Sequence, residues 1–230
     1  MDPALGASFE RLSVELPATV GVAVATADHC FSLGRWSSGV AWSTVKVPLA
    51  VAALRDDAAR AHGLAVKTIT ESHNAASEQL WSQLGNPLEA ARRVQAVIAE
   101  CGDTETVVES RRLREGFTAF GQTVWTLTLQ ARFAERLALL PDAAPVVELM
   151  RQITPEQRWG LAAKGFAAKG GWGPGPVDGY LVRQFGIVPI DSGWCGVALA
   201  AEAEIFDAGV RAIDALADWV VGRLPGPARR

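Results

Sequence analysis

The 230-residue chain predicts an α/β fold of the α+β kind: a five-stranded antiparallel sheet carrying the terminal helices, plus an all-helical lobe. Three observations predict it. Period-two alternation of apolar residues is confined to the two ends of the chain, and a helical pattern fills the middle. The last element is a helix with one apolar stripe, which needs a sheet face to cover it. The expected organisation is a single domain over 1–230, with an α/β lobe of about 1–40 and 155–230 and a helical lobe of about 41–154. A groove between two such lobes is a natural place for a site.

Residues 1–16 carry Leu5, Phe9, Leu12 and Leu16 at steps of three and four, a helix that Pro17 ends. From Thr19 to Thr26, Val20, Val22 and Val24 alternate with Gly21, Ala23 and Ala25, the period of a strand. Asp28-His29 reads as a turn and Cys30–Leu33 as a short partner strand. The Ala- and Val-rich run from Ser43 to Arg60 reads as a buried helix. Ile69 to Ala138 is helical, broken at Gly85-Asn86-Pro87, at Cys101-Gly102-Asp103 and around Gly116–Gly121. Strands return at Ala162–Trp172, Tyr180–Val188 and Cys195–Ala200, separated by Gly/Pro-rich and Asp-Ser-Gly turns. The final helix sets Phe206, Val210, Ile213, Ala217, Val220 and Leu224 on one stripe, with Asp207, Arg211 and Asp218 outside it.

Apolar residues at 49% and charged residues at 20% give a chain able to bury a sizeable core, not a disordered one. A formal net charge of −3 offers no field for nucleic acid or an anionic membrane, so neither is an expected partner. No apolar run is long enough for a membrane span. Met1-Asp2-Pro3-Ala4 shows no basic segment leading into an apolar one, so no signal peptide is visible; the expected compartment is cytoplasmic as written and extracytoplasmic if an export segment has been removed. Cys30, Cys101 and Cys195 are odd in number and far apart, which predicts no disulfide framework. With His29, His62 and His73 also scattered, no metal site and no cofactor are expected, and the protein reads as a monomer.

The chemistry concentrates in three short clusters. Ser43-Thr44-Val45-Lys46 sets a hydroxyl and an amine three residues apart, on one face if the segment is helical. An amine beside a hydroxyl is one of the few ways to activate a serine without histidine. Val45, Val47, Pro48 and Leu49 give Lys46 an apolar setting that lowers its pKa and suits it as a base. Taken alone, the pair reads more readily as an ordinary helix-start serine and a surface lysine. Ser72-His73-Asn74 offers a hydroxyl and an amide before the next helix, where Ser72 also suits a helix cap. Lys169-Gly170-Gly171 places a cation beside a backbone that a ligand can approach closely, with Lys164 as a competing lysine before a glycine.

With these clusters in this order, the chain resembles the penicillin-recognising serine enzymes: class A β-lactamases and D-alanyl-D-alanine peptidases, whose motifs are Ser-x-x-Lys, Ser-x-Asn and Lys-Thr/Ser-Gly. Thr70-Glu71-Ser72-His73-Asn74-Ala75-Ala76 and the closing strand and helix are similar as well. The resemblance implies the β-lactamase/transpeptidase fold and a serine hydrolase acting on a β-lactam or a D-Ala-terminated peptidoglycan-type peptide. It makes Ser43 the acylated nucleophile, Lys46 its proton acceptor and Ser72 a proton shuttle to the leaving nitrogen. It makes Asn74 a binder of the substrate amide, and it gives Lys169, Gly170 and Gly171 to the substrate-carboxylate strand. The implied oxyanion hole uses the N–H of Ser43 and that of Gly171 or Gly173; Trp42, Trp172 and Trp125 either flank the groove or pack in the core between the lobes.

Three departures temper that implication. Class A enzymes release their acyl-enzyme with a Glu-activated water, and the corresponding stretch here, Thr106 to Gly121, puts Arg111 or Arg112 near that position, with Glu109 and Glu115 out of register. Gly170 replaces a hydroxyl residue, and His73 a common Asp. Arg111, Arg112 and Arg114 read as a solvated run. The expectation is a protein that acylates slowly and deacylates more slowly; the alternative is a catalytically weak or inactive β-lactamase-like protein that binds or regulates.

Overall fold

The computed structural model describes residues 3–175 and 179–224; the first two residues of the expected first helix lie outside them. In chain order the elements are α1 (Pro3–Glu15), β1 (Ala18–Ala25), β2 (Cys30–Gly34), β3 (Ser38–Val40), a 3₁₀ turn over Trp42–Val45, α2 (Lys46–Asp56), α3 (Ala58–Thr70), α4 (Asn74–Gln83), α5 (Pro87–Glu100), β4 (Val124–Thr126), α6 (Leu127–Leu137), α7 (Ala144–Leu149), β5 (Ala167–Pro174), β6 (Tyr180–Ile190), β7 (Gly193–Ala203) and α8 (Phe206–Val221). Five strands form one antiparallel sheet in the order β2-β1-β7-β6-β5, joining both ends of the sequence as the alternation predicts. β5 is an edge strand, and this edge borders the candidate site.

Alternation along β1, β6 and β7 sorts side chains to two cores. Val20, Val22, Val24, Val182 and Leu199 pack with Phe9 of α1 and with Ile213, Leu216 and Val220 of α8. Ala23, Phe185, Ala198 and Ala200 face the other way, onto α6 and the cluster built from α2, α3, α4 and α5. Gly196 lets α6 press against β7, because a Cβ there would lie 1.9 Å from Ala131 O. α5 opens with a capping box, Asn86 and Glu89 bonding each other's backbone with Pro87 in the first turn, which explains the break at Gly85-Asn86-Pro87.

Several elements differ from what the sequence pattern predicts. Ser43 to Arg60 is not one helix. Asp57 takes an extended conformation (φ −153°) and its side chain accepts from Arg60 N at 3.1 Å, ending α2 and starting α3. Ala162–Trp172 begins as a 3₁₀ turn closed by left-handed Gly165, and the strand starts only at Ala167. The pair β3–β4 leaves no trace in the pattern because three residues are too few to show a period. The buried stripe of α8 also includes Ala208, Ala212 and Leu216, while Phe206 and Val210 are half-buried. The three cysteines are free thiols, and Cys30 is half-buried where Cys101 and Cys195 are buried.

Candidate active site

A groove of about 340 Å³ opens between the Trp42–Val45 turn, residues 72–74, the segment 117–121 and β5. Ser43, Ser72 and Asn74 line it, with walls of Trp42, Phe117, Trp172 and Tyr180. A larger hollow of about 670 Å³ lies between α1 and β1–β2 and contains none of the three motifs.

Ser43 sits in the 3₁₀ turn, one step before α2, rather than inside an α-helix. Trp42 before it has φ +50°, a left-handed conformation that a bulky residue adopts only where its surroundings enforce it. Gly171 supplies part of that enforcement, since a Cβ there would stand 2.8 Å from Ser43 N and 3.0 Å from Thr44 N. Only glycine lets β5 come so close to the Ser43 backbone.

Lys46 opens α2 and is buried at 1% exposure. Its Nζ donates to Ser72 O at 2.5 Å and Asn74 Oδ1 at 2.7 Å, and lies 3.3 Å from Ser72 Oγ. None of these three partners is Ser43. Lys169, also on the groove side of β5 and fully buried, brings its Nζ to 2.9 Å from Ser72 Oγ and 3.1 Å from Gly170 O. Lys164 instead pairs with Asp218 at the surface. Burial lowers Lys46 to about 7, an effect that Glu78 partly opposes. Burial, and then the charge of Lys46, hold Lys169 well below the usual lysine value. Two amines driven toward neutrality thus share one hydroxyl.

That hydroxyl is fixed by an unusual backbone. Ser72 has φ +56°, which turns the chain between α3 and α4. The cap of α4 is His73, whose Nδ1 accepts from Ala76 N at 3.1 Å; Ser72 is not the cap and keeps its side chain for the two lysines. His73 therefore does not line the groove. Asn74 spends its Oδ1 on Lys46, leaving its amide hydrogens for other acceptors.

Strand direction decides which backbone donors of β5 face outward. Ala168 N donates to Met150 O outside the sheet, Pro174 O accepts from Arg114 outside it, and Gly175 N donates to Gly179 O across the hairpin. N–H and C=O groups of one residue point the same way and alternate along an antiparallel strand. Gly170 and Trp172 therefore turn theirs to the free edge, whereas Gly171 and Gly173 turn theirs to β6. The outward N–H beside the groove belongs to Trp172, not to Gly171 or Gly173 as the resemblance implies. Gly170 has its Cβ direction on the opposite face, where an added Cβ would lie 2.6 Å from the Trp159 ring.

The remaining aromatic and charged candidates divide. Trp42 and Trp172 line the groove. Trp125 is fully buried in the core, donating to Asp103 Oδ2 at 2.8 Å. Arg111 is solvated and Arg112 pairs with Glu78, but Arg114 leaves the expected surface run: its guanidinium lies over the rings of Trp42 and Phe117 and donates to Pro174 O at 3.3 Å. Among the described residues no Asp or Glu lines the groove. Glu109 is bonded to the Arg111 side chain at 3.0 Å, which holds its carboxyl below the usual range, and Glu115 is exposed. No group of His, Cys, Asp and Glu among the described residues has the arrangement of a metal site, and no helix there is long and apolar enough to cross a membrane.

No protein-family model and no curated protein matches the chain by sequence. Solved structures do match by shape. A β-lactamase from Burkholderia vietnamiensis superposes with a TM-score of 0.73 at 18% identity, over 96% of this chain and 97% of that one. TLA-3 extended-spectrum β-lactamase gives 0.72 at 14% identity, covering 95% and 98% of the two chains, and PBP-A gives 0.70 at 20%, covering 96% and 95%. The chain has the fold of the serine β-lactamase and penicillin-binding protein superfamily.

Proposed function

We propose, on the premise of that fold, that the protein is a serine hydrolase that forms an acyl-enzyme at Ser43 and releases it slowly or not at all. The observation that carries the reading is the convergence of Lys46 and Lys169 on Ser72 Oγ, in a groove that Ser43 lines. At neutral pH a large fraction of Lys46 is the free amine. It accepts the Ser43 proton as Oγ attacks the substrate carbonyl, a contact that such sites commonly tighten only with substrate in place. The oxyanion is held by the N–H groups of Ser43 and Trp172. Ser72 gives its proton to the leaving nitrogen as the C–N bond breaks, and is reprotonated by Lys46. Asn74 binds the substrate amide, and Lys169 holds Ser72 in line. The substrate class is a β-lactam or a D-Ala-terminated peptide amide.

A second reading, a binding or regulatory protein with little turnover, is favoured by the groove's want of a carboxylate among the described residues. A positioned general base contributes a factor of about 10²–10⁴ to the step it serves. Labelling with a fluorescent penicillin tests both readings. Label that is lost in Ser43→Ala supports the acyl-enzyme; no label on the native chain overturns it in favour of the second reading.

A further inference from the structure

We propose that Arg183, Gln130 and Thr44 form a buried relay that positions the Ser43 turn from inside the protein. The inference rests on the acyl-enzyme reading of Ser43. All three side chains are completely buried. Arg183, on β6, donates through Nη2 to Gln130 Oε1 at 2.9 Å. Gln130, on α6, donates through Nε2 to Thr44 Oγ1 at 2.9 Å. Thr44 donates through Oγ1 to Ala41 O at 2.6 Å, and its own N–H reaches the same oxygen at 3.2 Å. Every donor in the chain points the same way, from the guanidinium toward the turn, so the bonds polarise one another. The relay ends on the two residues that bracket Trp42 and Ser43.

Arg183 also grips the segment leading into the turn. Its Nη1 donates to Gly39 O at 2.9 Å and Val40 O at 3.1 Å, and its Nη2 to Trp125 O at 3.1 Å. It therefore fastens β3, β4 and α6 to the main sheet. Its cross-strand neighbour is Gly171, the residue that presses on Ser43 N. One rung of the β5–β6 ladder thus meets the Ser43 turn twice, through the backbone at Gly171 and through side chains from Arg183.

Stability alone is a poor reason for this arginine. Among the described residues it has no carboxylate partner, its Nε has no hydrogen-bond partner, and burial lowers it to about 9. Beside its neutral acceptors it has the Trp36 ring, 5.2 Å from its guanidinium carbon, and a buried cation held in this way without a carboxylate still costs free energy that an apolar residue of similar volume would not. What the arginine supplies is direction: a fork of fixed geometry that holds four oxygens from three elements. A nucleophile displaced by about 1 Å loses about 10²-fold in rate, so a turn containing a left-handed Trp42 needs such a hold.

The test compares Thr44→Val, which keeps the shape and removes the hydroxyl, with Thr44→Ser and Arg183→Met. Acylation by a fluorescent penicillin is resolved into its saturating rate and its half-saturation concentration, alongside thermal melting. Thr44→Val is expected to lower the saturating rate by about tenfold or more with half-saturation nearly unchanged, and Thr44→Ser to restore it. Arg183→Met lowers the rate similarly, and because it leaves four buried oxygens without their donor it lowers the melting temperature as well; the Thr44→Val/Arg183→Met double variant loses little more rate than either single one. A changed melting temperature with an unchanged rate, or fully additive losses, overturns the relay. If Arg183→Met does not fold, the Thr44 pair decides alone. If the native chain takes no label, the acyl-enzyme reading falls, and the relay is judged by amide hydrogen exchange at Ser43. Faster exchange in Thr44→Val and not in Thr44→Ser supports it; equal exchange overturns it.

Discussion

Lys46 and Lys169 bring their side-chain nitrogens to one oxygen, Ser72 Oγ, at 3.3 and 2.9 Å, from elements 123 residues apart in sequence. A pair of ammonium groups that close, both buried, repel each other and lose hydration, so the arrangement favours at least one neutral amine. That neutrality is what the proposed proton transfer through Ser72 requires.

Stability and labelling should therefore both change with pH. Lys46 falls from 10.5 to about 7 on folding. Below about pH 7 folded and unfolded chains both carry its proton; between 7 and 10.5 the unfolded chain binds it and the folded chain does not, so this group makes stability rise with pH. Lys169, lowered by burial and by Lys46, acts in the same direction. Urea midpoints should increase from pH 7 to 10, with a shallower increase in Lys46→Met. The acylation rate should climb with pH through a midpoint near 7. A flat profile in both measurements contradicts the assignment.

Ser72 holds its position at a cost in backbone strain. At φ +56° an L-residue costs about 1–2 kcal/mol more than glycine. Ser72→Gly should therefore melt above Ser72→Ala, the reverse of the usual order, since both lack the hydroxyl and differ in the backbone. Both should acylate about 10²-fold or more slowly than the native chain. Thermal melts of the two variants check the order directly.

The two glycines after Lys169 should respond differently for reasons visible in their surroundings. Gly171→Ala drives a Cβ against the Ser43 and Thr44 backbone, which cannot rotate away, and should cost about 1–3 kcal/mol along with most of the acylation. Gly170→Thr, which restores the hydroxyl of the Lys-Thr/Ser-Gly motif that the sequence resembles, would set its Cβ 2.6 Å from the Trp159 ring and should destabilise without improving affinity for a carboxylate ligand. Improved affinity with unchanged stability would show that Trp159 yields.

Release should be the slow step. Nitrocefin is expected to give a burst of about one equivalent and then little turnover, because the groove holds no acid among the described residues. Sustained turnover after the burst would contradict slow release and require a base that reaches the acyl-enzyme.

Much of this is legible in the sequence, because alternation marks strands and the three clusters are local patterns. Ser43, Ser72 and Asn74 line one groove, and Lys46 and Lys169 both reach the Ser72 hydroxyl there. What is not legible depends on register and packing. The outward N–H of Trp172 follows from which residues of β5 pair with β6, information that no spacing along one strand contains. Arg114 leaves the surface run to lie over Trp42 and Phe117, and Trp125 takes the core role that the sequence left open beside the groove, because long side chains pack where neighbours allow. Arg183, in the middle of an apolar strand, gives no signal at all; only the structure shows four oxygens converging on its guanidinium. The break at Asp57 is readable in principle, since Asp is a strong cap, but the Ala-rich run around it masks the signal.

The most direct measurement is intact-protein mass spectrometry of the native chain and of Ser43→Ala after incubation with benzylpenicillin at pH 8. The native chain is expected to gain the mass of one penicilloyl group, mapped by peptide digestion to Ser43 and persisting on dilution, and Ser43→Ala to gain none. A native chain that stays at its own mass, or an adduct that Ser43→Ala retains, would contradict acylation at Ser43.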